Sequence, residues 1–136
     1  MLKKENDSLW LSTIYIKNNK KKIHTAYYKT KYKKLVTGKT THYNFKGKES
    51  SVRFYDFKGS KTGTYTNWFD NGKVNFIGAY EEGKQEGAWK FYHTNGTLGA
   101  EKIYNKGELE KETFYDEKGK VLPKGSFINR KENSLF

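Results

Sequence analysis

Through the second half of this chain apolar and polar residues alternate with the period of two expected of extended strands. Trp89 and Phe91 fall on one side of such a strand, with Ala88, Lys90 and Tyr92 on the other. Past the pair Asn95-Gly96, Leu98, Ala100, Lys102 and Tyr104 alternate with Glu101 and Ile103. Two alternating runs separated by Asn-Gly predict a β-hairpin, because that pair best tolerates the two positive φ angles of a type I′ turn. The same pair occurs at Asn71-Gly72. Gly83 and Gly87, separated by Lys-Gln-Glu, predict a polar connection from one hairpin to the next.

This pattern repeats about every 24 residues, which predicts tandem structural units. Gly63-Thr-Tyr65-Thr-Asn-Trp68-Phe-Asp-Asn71-Gly72 aligns with Gly87-Ala-Trp89-Lys-Phe-Tyr92-His-Thr-Asn95-Gly96. Tyr80 follows Gly72 by eight residues, and Tyr104 follows Gly96 by eight. Upstream, Gly47 and Tyr55 keep this spacing, but Gly59 comes one residue late, as though one residue were inserted. Downstream, Phe114-Tyr115-Asp116 to Gly119 copies Phe91 to Gly96 at a spacing of 23, and the array then ends. A fainter echo at Tyr15, Asn19 and Tyr27 reads as a degenerate first unit. The predicted fold class is therefore all-β, a single curved antiparallel meander of tandem β-hairpins. Its domains are a basic, aromatic segment over 1–42, hairpin repeats over 43–122, and a tail or cap over 123–136.

Only 34% of the 136 residues are apolar, too few for a conventional core, so aromatics must do the burying. Eleven Tyr, nine Phe and three Trp are available. The net charge of +12 is lopsided: residues 1–62 carry 16 Lys or Arg against 4 Asp or Glu, while residues 63–136 carry 11 of each. Such a half attracts acidic partners. Cysteine is absent, which excludes disulfides and thiolate metal sites. The first ten residues lack an apolar signal core and no apolar run approaches bilayer length, so the expectation is a cytoplasmic protein.

Catalytic chemistry finds little support. Lys33-Lys-Leu-Val-Thr-Gly38-Lys39-Thr40 ends like a phosphate-binding loop, but Lys33 stands where that motif needs its first glycine. Gly59-Ser-Lys-Thr-Gly63 is explained by the repeat register. His24, His42 and His93 are too far apart in sequence to suggest a metal site. Among Glu81, Glu82, Glu108, Glu110, Glu112 and Asp116 nothing singles out a pair of catalytic carboxylates, and no nucleophile motif occurs. The expectation is a chain that is not an enzyme and uses no cofactor or metal.

The phrase Gly-x-Trp-x-Phe-Tyr-x-x-Asn-Gly followed by Tyr-x-x-Gly-x-x-x-Gly resembles the MORN-repeat variant of the YwqK-like antitoxin family of bacteria. The resemblance spans residues 43–122 and is strongest at 63–107. It implies a curved sheet of successive hairpins, no catalytic residues, and a role in binding other macromolecules. Members described as antitoxins neutralise a toxin by contact, and MORN repeats more broadly are associated with scaffolding and acidic phospholipids. The expected function is thus an antitoxin or immunity-type protein that contacts an acidic partner, with anionic lipid or nucleic acid as the alternative. The predicted basic contacts are Lys20, Lys21, Lys22, Lys29, Lys31, Lys33 and Lys34. The predicted aromatic contacts are Tyr65, Trp68, Trp89 and Tyr92, on the reasoning that a single sheet leaves part of its aromatic row exposed. A binding sheet with open edges also allows pairing into a dimer.

Overall fold

A computed structural model describes residues 38–123 in full and three earlier strands as backbone, at 2–4, 10–15 and 22–28. The strands are β1 (Leu2–Lys4), β2 (Trp10–Tyr15), β3 (Lys22–Tyr28), β4 (Gly38–Tyr43), β5 (Glu49–Tyr55), β6 (Lys61–Trp68), β7 (Val74–Glu81), β8 (Lys84–Tyr92), β9 (Leu98–Asn105) and β10 (Glu108–Phe114). They form one ten-stranded sheet in chain order, with every adjacent pair antiparallel. The described residues contain no helix. The fold is the all-β meander of tandem hairpins that the alternation predicts, and β4 carries the sheet across the boundary placed at residue 42.

The turns are assigned differently from the expectation. At Phe69–Gly72 the Phe69 N–H donates to the Lys73 carbonyl (2.8 Å), and the Gly72 N–H donates back to the Phe69 carbonyl (2.9 Å). The same pair of bonds closes Asn44–Gly47, Asp56–Gly59, His93–Gly96 and Asp116–Gly119. Gly72 has φ +85° and Gly96 +93°, while Asn71 and Asn95 keep negative φ. These are type I turns closed by a glycine bulge, not type I′ turns. The asparagines serve by side chain instead: Asn71 Oδ1 accepts the Lys73 N–H, and Asn95 Oδ1 the Thr97 N–H. The two-residue type I′ turns lie at the opposite ends of the strands, at Glu82-Gly83 (φ 50° and 81°) and Lys106-Gly107 (49° and 87°). Between β5 and β6 the longer glycine-bulge turn Asp56–Gly59 replaces the two-residue loop, which accounts for the inserted residue in the repeat spacing.

Neighbouring turns are tied together across the repeat. The Gly83 N–H donates to the Lys61 carbonyl and the Gly107 N–H to the Gln85 carbonyl, at 2.9 and 2.8 Å. At the other ends of the strands Asn71 Nδ2 donates to the Thr94 carbonyl (2.9 Å) and Asn95 Nδ2 to the Glu117 carbonyl (3.3 Å). Each unit thereby fixes the register of the next.

The core lies on one face of the sheet, where Tyr65, Phe76, Tyr80, Trp89, Phe91 and Ala100 are buried together, with Tyr104, Phe114 and Leu122 packed against them. A wide bulge sets up its centre. Between the paired Ile77–Lys90 and Ala79–Glu86, β8 carries Gly87, Ala88 and Trp89 against the single residue Gly78. The surplus chain lets the Trp89 indole fold down onto Gly78, where a Cβ would lie 2.0 Å from the ring. Trp89 Nε1 donates to the Ala79 carbonyl at 3.1 Å, so the buried indole has its polar edge satisfied. Tyr80 meets Trp89 edge to face (centroids 5.1 Å), Phe76 stacks beside it (6.2 Å, 19°), and Tyr65 meets Phe76 edge to face (4.9 Å). Each such pair contributes about 0.5–1.5 kcal/mol beyond area burial.

The bulge recurs in β6, where Gly63, Thr64 and Tyr65 oppose Arg53 between the pairs Val52–Thr66 and Phe54–Thr62. It shrinks in β10 to the one residue Glu110, which explains the shortened spacing of 23. There Glu112 stands directly across from Lys102, so opposite charges occupy the place where an aromatic ring and its seat would extend the array.

Gly78→Ala is expected to cost about 3 kcal/mol, the upper end of the range for overpacking, because the fully buried indole has nowhere to retreat. Gly87→Ala, at φ 72° with open space around it, is expected to cost about 1 kcal/mol. Chemical denaturation of the two variants checks the ranking; equal losses would show that the indole seat does not matter.

Candidate binding surface

Going toward β4, the core face changes character. Cross-strand partners share a face, so Thr40, Arg53, Tyr65, Gly78, Trp89 and Lys102 form one row across successive strands, and Gly38 and Tyr55 begin the next. Where the second half of the sheet sets Gly78 against Trp89, the first half sets Arg53 against Tyr65. The Arg53 guanidinium lies 4.3 Å from the Tyr65 ring centroid, a cation–π arrangement. Its Nη2 donates to the Tyr65 hydroxyl (2.8 Å) and its Nη1 to the Tyr55 hydroxyl (3.1 Å). Lys61, the cross-strand partner of Tyr55, holds its Nζ 5.0 Å from the Tyr80 ring centroid.

The electrostatics of this group are one-signed. Burial works against the Arg53 charge, yet the Tyr65 and Tyr55 hydroxyls outweigh it, and its pKa is raised. Lys61 is lowered, first by burial and then by Arg53. Tyr80 is raised, chiefly by burial, with Arg53 acting in the opposite sense. Among the described residues no carboxylate acts on Arg53 or Lys61.

Next to this cluster, His42 Nδ1 lies 3.2 Å from the hydroxyl of buried Ser51, and His42 is the register partner of His24. His42 is exposed over much of its surface, yet its pKa is lowered, first by desolvation and second by Arg53. Solvent screens a group this open, so its contribution is small in size but definite in sign.

Two predicted aromatic contacts are corrected. Tyr65 and Trp89 are 6% and 0% exposed and belong to the core, so neither presents its ring to a partner. The sheet covers this face with its own side chains, which the argument from two open faces did not anticipate. Trp68 and Tyr92 are half-buried at the strand ends. Lys22 opens β3, described as backbone; Lys20, Lys21, Lys29, Lys31, Lys33 and Lys34 lie outside the described residues. Arg53 and Lys61 were not singled out from sequence, although the repeat alignment holds the signal: setting Tyr55 on Tyr80 places Arg53 on Gly78.

Elsewhere the polar residues are structural. His93 closes a turn, and its Nε2 lies 2.9 Å from the Tyr115 carbonyl. Glu86 accepts the Lys106 N–H at 2.7 Å. Among the described residues no group of three or more His, Cys, Asp or Glu could hold a metal ion, and no helix is long and apolar enough to cross a membrane.

No protein-family profile matches this chain, and no curated protein matches it. Among solved structures 14 chains match. One is from the crystal structure of accessory secretory protein 1, 2 and 3 in Streptococcus pneumoniae, at 14% identity and a TM-score of 0.39. The match covers 76% of this chain and 18% of that one, and a likeness at this TM-score carries nothing over to function.

Because the folded state lowers the His42 pKa, the unfolded chain takes up the proton first. The associated stability is intact above about pH 6.5 and is lost as the pH falls below it. Thermal unfolding is expected to show a midpoint that declines between pH 7.5 and 5.5, and His42→Gln to flatten that decline. Parallel curves for the two proteins would exclude His42 as the source.

Proposed function

We propose that this chain is a non-enzymatic protein-binding repeat module, a bacterial antitoxin or immunity-type protein of the cytoplasm that neutralises an acidic partner by direct contact. The observation that carries the reading is the uncompensated positive charge. Residues 1–62 hold the entire excess of the chain, and Arg53 and Lys61, two cations on the described sheet face, meet no carboxylate among the described residues. An acidic partner supplies the complement that the described residues do not.

A continuous single sheet suits such a role. Over the described residues its register is locked by the turn ladders and the aromatic row, so Arg53 and Lys61 stand on a rigid support. The lysines at 29, 31 and 33 would steer the encounter, and the recessed cations would govern dissociation. The resemblance to MORN-type antitoxin repeats points the same way.

Co-expression with the product of the adjacent reading frame tests the reading: relief of growth inhibition together with a stable complex is expected. Reversal of Lys29, Lys31 and Lys33 to Glu is expected to slow association at least tenfold at low salt, with little change in dissociation. Unchanged association kinetics would remove these lysines from the interface. Binding that is equally strong to random oligonucleotides or anionic vesicles and vanishes at moderate salt would replace the reading with generic polyanion attraction.

A further inference from the structure

We infer that Arg53, Lys61, Tyr55, Tyr65 and Thr40 form a site for one side-chain carboxylate of the acidic partner. The inference rests on the protein-binding reading above and gives it an address.

Hydrogen-bond chemistry makes the case. An arginine has five N–H donors and no acceptor, and a lysine ammonium has three donors and none. Arg53 spends two donors on the Tyr55 and Tyr65 hydroxyls. Each phenol oxygen, having accepted from the guanidinium, is left with its own O–H to donate. Thr40 pairs with Arg53 across the β4–β5 ladder and therefore rises from the same face. Its Oγ1 is buried without a hydrogen-bond partner, in a residue only 7% exposed. A buried hydroxyl left unmade costs about 1–3 kcal/mol. Among the described residues the cluster is thus an array of donors that lacks an anionic acceptor, and an oxyanion is the ligand that supplies one.

The electrostatics agree. Arg53 and Lys61 are held close enough for the first to disfavour the charge on the second, an arrangement that works against folding. An anion between them reverses that sign. The repeat itself does not require the cation: in the next repeat the place of Arg53 is taken by glycine, and there the aromatic packing is complete without one.

The depth of the site selects the source of the oxyanion. Tyr65 and Tyr80 form its floor at 6% and 7% exposure, while Arg53, Tyr55 and Lys61 are half-buried around it. Lipid headgroups lie in a plane and meet residues that project from an edge. Half-buried cations on a sheet face are reached by a single projecting group, and an Asp or Glu side chain has that shape. The carboxylate matches the fork of a guanidinium and the paired phenols beside it.

Isothermal titration of the full chain with a poly-L-glutamate peptide, with inorganic phosphate and with phosphatidylserine vesicles tests the site. The expected result is glutamate binding that falls at least tenfold in Arg53→Gln and Lys61→Gln, and about threefold in Tyr55→Phe, which removes only one outward donor. Lys90→Gln, an equal loss of charge at an exposed residue on the opposite face, is expected to leave binding within twofold. Arg53→Lys keeps the charge but not the fork, and is expected to fall between Arg53→Gln and the parent. Thermal unfolding of each variant separates loss of site from loss of fold, and added glutamate peptide is expected to raise the midpoint of the parent but not of Tyr55→Phe to the same extent. Glutamate binding that is equal in all the variants would overturn the site while leaving the acidic-partner reading in place. Tight vesicle or phosphate binding with no response to glutamate would overturn both.

Discussion

A sheet of one layer has to cover its own apolar face, and the whole architecture follows from how this one does so. The Trp89 ring lies across the neighbouring strand, on the one residue of that strand with no side chain. The bulge in β8 supplies the extra chain for that reach, and Phe76, Tyr80 and Tyr104 close around the indole. Burial is therefore lateral, from repeat to repeat. No hairpin owns its core, as expected of an array in which stability resides between neighbours.

The same rule explains both ends of the aromatic row. Toward the C-terminus Glu112 faces Lys102 where a ring and its seat would stand, and Leu122 folds back with its N–H on the Phe114 carbonyl (2.8 Å) to finish the face. Toward β4 the position of Gly78 is taken by Arg53, so the Tyr65 ring meets a cation over its face instead of a glycine. A single difference at one repeat position thus turns an apolar contact into a polar, positively charged one.

Much of this was legible in the sequence. Alternation gave the strand faces of β8 and β9, and the glycine spacing gave the order of hairpins, because both record local backbone geometry. The turn types were not legible from Asn-Gly alone: the pair fits a type I′ turn, but it also fits a type I turn followed by a glycine bulge, and the Asn71 and Asn95 carbonyl oxygens favour the latter by accepting backbone N–H groups. The exposure of Tyr65 and Trp89 was misjudged for a different reason. Period-two alternation tells which side a residue leaves from, not whether it lies flat on the next strand, and the clue was the otherwise idle Gly78, which sits in a strand and far from any turn. Arg53 escaped notice because it carries no motif; it stands out only against the residue that replaces it one repeat later.

The central claim is that the aromatic row is a self-covered core and not an open face. The emission and quenching of Trp89 test it most directly, in a chain with Trp10→Phe and Trp68→Phe so that one indole remains. The account predicts blue-shifted emission that resists acrylamide until the protein unfolds. Emission like that of free indole, quenched freely under native conditions, would contradict it.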